Sequence, residues 1–402
     1  MVTVQYNPFT PEAQANPYPL YRQLREQDPV HRSELMDGWV LTRYDDVVAV
    51  LKDARFSANR RKARNRFAQQ AVAMEEQAGP LARANTMLSS DPPDHTRLRG
   101  LVGKAFTLRV VETMRSHIQE IVDDLLDAVQ ETGRMDIIQD LAYPLPVIVI
   151  AEMLGIPPEQ RDTFKRWSDD LVATLGGPLV SPETLERGRG SAEEMGEYFH
   201  GVIEQRRREP KDDLLSGLIA AEERGEVLSE EELLATCMLL LAAGNETTTN
   251  LIGNGMLALF RNPDQFEKLR ADPSLTESAI EEFLRYDGPV QGTGRVAKEE
   301  IEIGGQVIEE GQLAFCMLGA ANRDPAQFSN PEDLDITRQD NRHIAFGFGI
   351  HFCLGAPLAR MEAQIAFPTL LRRMPNLRLV DNDVEWGGSF ILRGLKRLPA
   401  AF

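Results

Sequence analysis

Phe346-Gly347-Phe348-Gly349-Ile350-His351-Phe352-Cys353-Leu354-Gly355 decides the reading of this chain: a cysteine in a glycine-punctuated loop that runs straight into an Ala/Leu/Arg/Glu-rich stretch from Ala356. Glycines at 347, 349 and 355 free the backbone to fold tightly around a sulfur. The helix expected from Ala356 points its unpaired N–H groups and positive dipole end back at that sulfur. Such a place favours thiolate over thiol, so the segment reads as a metal-thiolate site. Zinc would need about four ligands in paired spacings, and His351-x-Cys353 has no second pair. A cysteine nucleophile with a histidine partner stays open on these residues, although the spacing is far more restrictive than such a pair requires. Cys237 and Cys316 lie in apolar runs and read as buried hydrophobes.

The 402 residues, 42% of them hydrophobic, suffice for a large core, and no linker-like tract or internal repeat divides them. One domain spanning 1–402 is therefore expected. Three scattered cysteines form no disulfide framework and suit a reducing cytoplasm. The first 16 residues lack a signal peptide's basic and apolar blocks, and no apolar run is long enough to span a bilayer, so a soluble, cytoplasmic protein without membrane contact is expected. A net charge of −18 argues against nucleic-acid binding, which needs clustered positive charge. The basic run Arg60, Arg61, Lys62, Arg64 and Arg66 lacks a clear apolar period and reads as a solvated mobile loop.

Helical periodicity dominates up to about Tyr286. Helices are expected over Tyr18 to Gln27, Tyr44 to Lys52, Arg97 to Gln130, Leu141 to Leu154, Glu159 to Leu175, Pro182 to Arg208 and Asp212 to Arg224. A strand is expected over Trp39 to Arg43, and residues 57–90 look irregular. Beyond Tyr286, Gly304-Gly305 and Gly387-Gly388 separate runs that resemble short hairpin strands. The fold class is thus mainly α with small β-sheets.

Ser229-Glu230-Glu231-Glu232 is a capping box opening a helix expected to reach Phe260, close to 50 Å long at about 1.5 Å per residue. Its middle departs from an apolar pattern. After Leu233 to Ala243, the run Gly244-Asn245-Glu246-Thr247-Thr248-Thr249-Asn250 places an acid and three threonines where a buried helix should stay apolar. Glycine allows distortion there, and a threonine hydroxyl can compete with a backbone hydrogen bond. Further on, Glu282-x-x-Arg285 reads as a helical ion pair worth only about 0.2 to 0.5 kcal/mol by itself.

The order F-G-x-G-x-H-x-C-x-G resembles the haem-binding signature of the cytochromes P450, and the other motifs follow in that family's order. Ala243-Gly244-x-Glu246-Thr247-Thr248 is similar to its oxygen-activation motif. Glu282-x-x-Arg285, with Arg338 from Phe328-x-x-Pro331-x-x-Leu334-Asp335-x-x-Arg338, looks like its structural triad. Asp91-Pro92-Pro93-Asp94-His95-Thr96-Arg97-Leu98-Arg99 resembles its proline-led helix start. The likeness is to the soluble bacterial branch that includes macrolide hydroxylases.

The resemblance implies a cytochrome P450 fold and a haem-thiolate monooxygenase. Haem b (iron protoporphyrin IX) would be held by Cys353 as the axial iron ligand, with Phe346, Gly347 and Gly355 shaping the loop and His95, Arg99, Arg295 and His351 meeting the propionates. Cys353 would donate electron density that favours O–O cleavage. Thr247 and Glu246 would deliver protons to bound O2. By family position the substrate pocket would draw on Leu88, Leu239, Ala243 and Thr247, with Val290, Thr293, Phe390 and Ile391 opposite. These imply an apolar small molecule, and the small Ala243 and Gly292 suit a bulky one such as a macrolide, steroid or terpenoid, with medium-chain fatty acids also open. Too few residues follow Cys353 for a reductase domain, so ferredoxin and ferredoxin reductase would supply electrons. Arg97, Lys104 and Arg360 are the cations expected to dock an acidic ferredoxin. A haem-thiolate peroxygenase or ring-coupling enzyme and a non-catalytic haem sensor are the rival readings, and Glu246 with Thr247 favours the monooxygenase.

Overall fold

Local signals place the first helices. In this computed structural model, which describes residues 4–65, 68, 69, 72, 84–174, 180–223, 228–381 and 384–402, helix α1 is Tyr18–Gln27 and buries Tyr18, Tyr21 and Leu24. Strands β1 (Val30–Ser33) and β2 (Gly38–Leu41) form an antiparallel hairpin, followed by helix α2 (Tyr44–Lys52). The strand expected at Trp39 is thus shorter. Its partner β1 escaped notice because His31 and Arg32 interrupt its apolar alternation. Strand β3 (Phe56–Ser57) leads to a short turn over Arg60–Lys62 whose Asn59 side chain accepts from the Arg61 N–H.

The single helix expected over Arg97 to Gln130 is three: α3 (Asp94–Ala105), α4 (Leu108–Thr113) and α5 (Arg115–Asp127). Thr107 makes the first break. Its backbone is extended and its hydroxyl accepts from the Val110 N–H at 3.2 Å, a fresh N-cap in mid-pattern. Helix α6 (Pro144–Met153) is buried nearly all round, and α7 (Arg161–Ala173) follows. Helices α8 (Pro182–Arg208) and α9 (Leu214–Glu223) lead to the long α10 (Glu230–Arg261). Arg66, Leu175, Arg224 and part of the irregular stretch 57–90 lie outside the described residues.

Helix α10 is the axis on which the others pack. Ser229 accepts from the Glu232 N–H while the Glu232 carboxylate accepts from the Ser229 N–H, the capping box in full. A Cβ at Gly255 would stand 2.7 Å from the Phe367 ring and 2.9 Å from that of Phe283, so glycine lets α11 (Thr276–Asp287) and α12 (Ala356–Arg373) pack close to α10.

Strands β4 (Thr293–Ala297) and β5 (Leu313–Cys316) complete a five-stranded sheet of order β1-β2-β5-β4-β3, in which only β2 and β5 run parallel. Gly304-Gly305 does turn a hairpin between Ile301–Ile303 and Gln306–Ile308. Gly387-Gly388 does not. Those glycines lie within strand β6 (Trp386–Gly388), which pairs with β7 (Arg393–Leu395), and the turn falls at Ser389, whose hydroxyl accepts from the Ile391 and Leu392 N–H groups.

Candidate active site

The cysteine loop is held from three sides. Gly347 and Gly349 have φ of +74° and +72°, the left-handed region, and the Cys353 N–H donates to the Phe346 carbonyl at 2.9 Å to close the loop. Arg99 of α3 donates to the Phe352 carbonyl at 2.7 Å. From α11, Glu281 accepts two bonds from Arg360, at 2.6 and 2.8 Å, and one from His343 at 3.0 Å. The Arg360 guanidinium also lies 4.5 Å from the Phe346 ring centre. Burial alone would raise Glu281, yet Arg360 and His343 outweigh it and hold the carboxyl down at about 2. Arg360 is therefore a brace for the loop. Arg360, one of the cations the resemblance offered for docking ferredoxin, is thus paired with Glu281.

Cys353 keeps accessible surface at the head of α12, although enough protein surrounds it that burial raises its thiol pKa. The Gly355 and Ala356 N–H groups, with Arg99 and Arg360, pull the other way. A bound metal cation would add to that pull.

His95 and His351 come together with ring centres 4.2 Å apart. His95 Nε2 is buried with no hydrogen-bond partner. Burial lowers both imidazoles, His351 to about 4 with help from the Arg295 charge, so both stay neutral at pH 7. Among the described residues Arg295 donates within its own strand, to the Gly294 carbonyl at 2.8 Å and the Thr293 hydroxyl at 3.3 Å. Two neutral imidazoles and the Arg99 and Arg295 guanidiniums thus converge with no bond from any of them to a carboxylate among the described residues. Arg97, by contrast, is spent on Glu232 of α10, with bonds of 2.6 and 3.1 Å.

Across from the loop, α10 stays α-helical through Gly244, where distortion was expected. Thr247 instead donates to the Ala243 carbonyl at 3.0 Å, and Thr249 to that of Asn245 at 3.1 Å. Ala243 is exposed in the middle of this largely buried helix. Burial pushes the Glu246 carboxyl up to about 7, Asn250 works against that rise, and the Asp169 charge adds to it. Asp169 of α7 is itself raised by burial and accepts from the Tyr143 hydroxyl at 2.8 Å. Asn245 donates to the Ser168 hydroxyl at 3.1 Å. Asp169 and Tyr143 belong to no local motif, and no sequence signal pointed to them.

Among the remaining pocket residues, the Gln291 N–H donates to the Ile391 carbonyl at 2.7 Å and Val290 bridges Leu392, which brings Val290 and Ile391 together. Thr293 heads β4. Phe390 packs edge-on against Phe9 and Phe315, so its ring also serves the N-terminal packing. Leu88 is 62% exposed, an apolar side chain in want of a neighbour. Leu239 lies one turn before Ala243 on α10.

Glu282 is fully buried and its oxygens are all spoken for. They accept from Arg285 twice at 2.8 Å, from Arg338 at 3.0 Å, from the Asp335 N–H at 2.9 Å and from Asn341 at 3.2 Å. Arg285 also donates to the Asn322, Pro331 and Asp333 carbonyls.

The sequence model of the cytochrome P450 family matches residues 36–376. This chain is 42% identical to the polyketide biosynthesis cytochrome P450 PksS of Bacillus subtilis, over 100% of its own length and 99% of that protein's. The chain belongs to the cytochrome P450 family. It is also 41% identical to 6-deoxyerythronolide B hydroxylase of Saccharopolyspora erythraea, with 95% of each chain covered. Among solved structures, the myxobacterial cytochrome P450 CYP267B1 in complex with myristic acid superposes with a TM-score of 0.91 at 44% identity, covering 98% of each chain. This P450 is therefore a haem b monooxygenase with the mainly α fold of its family. No helix among the described residues is long and apolar enough to cross a membrane. The donor set fits haem: a thiol at a helix start, an orphaned imidazole nitrogen and two guanidiniums that bond to no carboxylate among the described residues.

Proposed function

We propose that residues 1–402 act as one catalytic unit in which Cys353 would bind the haem iron through its thiolate and His95, Arg99, Arg295 and His351 would hold the two propionates. The observation that carries this reading is the convergence of two neutral imidazoles and two arginines without carboxylate partners around a loop cysteine. Such a group of donors in the interior is costly unless an anion completes it. Haem so held supplies dioxygen activation, and the chain's own residues supply position and protons. Thr247 holds a water beside Ala243, and Glu246, poised near neutrality, passes protons inward from Asp169 and Tyr143. Leu88, Leu239, Val290, Thr293, Phe390 and Ile391 exclude bulk water and seat an apolar substrate. Macrolides and long-chain acids are the first classes to try, given the names of the relatives above.

Electrons come from a ferredoxin and its reductase in the cytoplasm. Of the cations expected to dock ferredoxin, Arg97 and Arg360 are engaged by Glu232 and Glu281 while Lys104 is exposed, and Arg109 joins it: Arg109 is exposed, makes no ion pair among the described residues and adjoins Leu108, itself 71% exposed. Together with Pro357 and Gln364 of α12, Arg109 and Leu108 line one groove. Reconstitution with a ferredoxin and reductase should give substrate-dependent NADH use and a hydroxylated product. Arg109→Glu should slow reduction at low salt without changing substrate affinity. Product formed only with added peroxide, and never with the redox partners, would overturn the reading.

A further inference from the structure

Glu246 and Asn250 stand one turn apart on the same face of α10. Asn250 is buried, and among the described residues its Nδ2 completes no hydrogen bond. A buried donor left so is costly, and an ionised Glu246 is the acceptor that would complete it. The amide already bears on that carboxyl, favouring the charged form that burial and Asp169 oppose. The other groups nearby do not share this work. Asp169 comes from α7, and Tyr143, just before α6, donates to it and feels the Glu246 charge. Lys165 of α7 lies 4.5 Å from the Tyr143 ring centre and acts on Asp169. No cation among the described residues acts on Glu246 itself, so the Asn250 amide is the one group there that favours its charge.

Strand β7 fixes where that amide can lie. A Cβ on Gly394 would stand 1.8 Å from Asn250 Oδ1, 2.1 Å from its Cγ and 2.6 Å from Nδ2, so the amide fills the space that a side chain at 394 would need. The strand has no freedom to retreat. Asn254, one further turn along α10, donates to the Arg393 carbonyl at 3.0 Å and to the Asp287 carbonyl at 3.1 Å. The Arg393 N–H donates to the Pro289 carbonyl at 2.8 Å, and its guanidinium to the Asp287 carboxylate at 2.6 Å. A methyl group at 394 would therefore displace the amide and leave the strand in place. We infer that Asn250 is a positioning residue that aims its amide at Glu246 and sets the pH at which that acid releases its proton, and that Gly394 is glycine to admit it. The consequence for turnover rests on the reading of Glu246 as proton donor; the positioning does not.

The test follows the infrared band of the protonated Glu246 carboxyl in the haem-loaded enzyme as pH is raised, the band being the one that Glu246→Gln lacks. The parent's midpoint should lie at about 7. Asn250→Leu keeps the volume and drops the amide, and it should raise the midpoint by about one pH unit or more, the size of one hydrogen bond to a charged group. Gly394→Ala should raise it in the same direction by displacing the amide. In an Asn250→Ala background, where no amide is left to displace, Gly394→Ala should move the midpoint no further. An unmoved midpoint in Asn250→Leu overturns the inference, even if that variant is less stable to urea, because a merely structural role would lower stability alone. So does a shift from Gly394→Ala that is as large without the amide as with it. Product per NADH is then measured across the same pH range, and in Asn250→Leu it should fall at a correspondingly higher pH than in the parent. A moved infrared midpoint with an unmoved yield profile would sink the proton-donor reading of Glu246 and leave the positioning standing.

Discussion

Glu282 and Glu246 are both acids in the protein interior, and their surroundings could hardly differ more. Glu282 accepts from two arginines, a backbone N–H and an asparagine, and its charge is fixed in place. Glu246 has burial and a neighbouring Asp169 against it, so its proton is held to about pH 7. The first acid belongs to a region built to stay still. The second, under the proposed function, would belong to one that exchanges protons. The contrast teaches that a buried acid keeps its charge when its partners saturate it and holds its proton to higher pH when they do not.

The largest effect should come from breaking the brace. Arg285→Ala would leave Glu282 with part of its charge unmatched in a dry core and should cost about 3 to 5 kcal/mol, read as a fall in the urea midpoint. Arg285→Lys should recover little, because an ammonium cannot reproduce the forked donors that reach Glu282 and three carbonyls. A loss under about 1 kcal/mol would mean the network is idle. On the relay side, Thr247→Ala should keep NADH consumption but cut product per NADH by about tenfold or more, the missing electrons leaving as hydrogen peroxide. Unchanged yield would place the proton path elsewhere. Glu246→Gln sharpens the comparison. In the parent, productive turnover should fall as pH rises through about 7, where the carboxyl loses its proton, and the glutamine variant should be slow with no inflection there.

A third buried acid gives the smallest effect at any one step of pH. Glu362 of α12 has one unpartnered oxygen, and burial pushes its carboxyl up to about 8. Between its ordinary value near 4.5 and about 8 the folded state keeps a proton that the unfolded chain releases, so this group makes stability fall as pH rises across that window. The slope is at most about 1.4 kcal/mol per pH unit, and Glu362→Gln should remove it. Denaturation curves at three pH values would show whether the two slopes differ.

Much of the fold was legible because its signals are local. Helices Tyr18–Gln27, Tyr44–Lys52 and Pro182–Arg208 follow from apolar periods bounded by turn and capping residues, and Ser229 with Glu232 announces the long helix outright. The break at Thr107 was hidden because the apolar period continues through it. The grouping around Cys353 was legible as a set of motifs, each with its own spacing. What could not be read was pairing across the fold. Glu281 reaching Arg360, Asp169 facing Glu246, and Arg99 reaching the Phe352 carbonyl all depend on residues far apart in sequence, and no period or cap encodes them.

The central claim is that Cys353 is the thiolate that holds the iron. The carbon monoxide spectrum of the dithionite-reduced protein tests it most directly, recorded for the parent and for Cys353→Ser, Cys237→Ser and Cys316→Ser. The parent and the two buried-cysteine variants should show the strongly red-shifted Soret band of a thiolate ligand, and Cys353→Ser should lack it. The same band in Cys353→Ser, or its absence from the parent, would contradict the account.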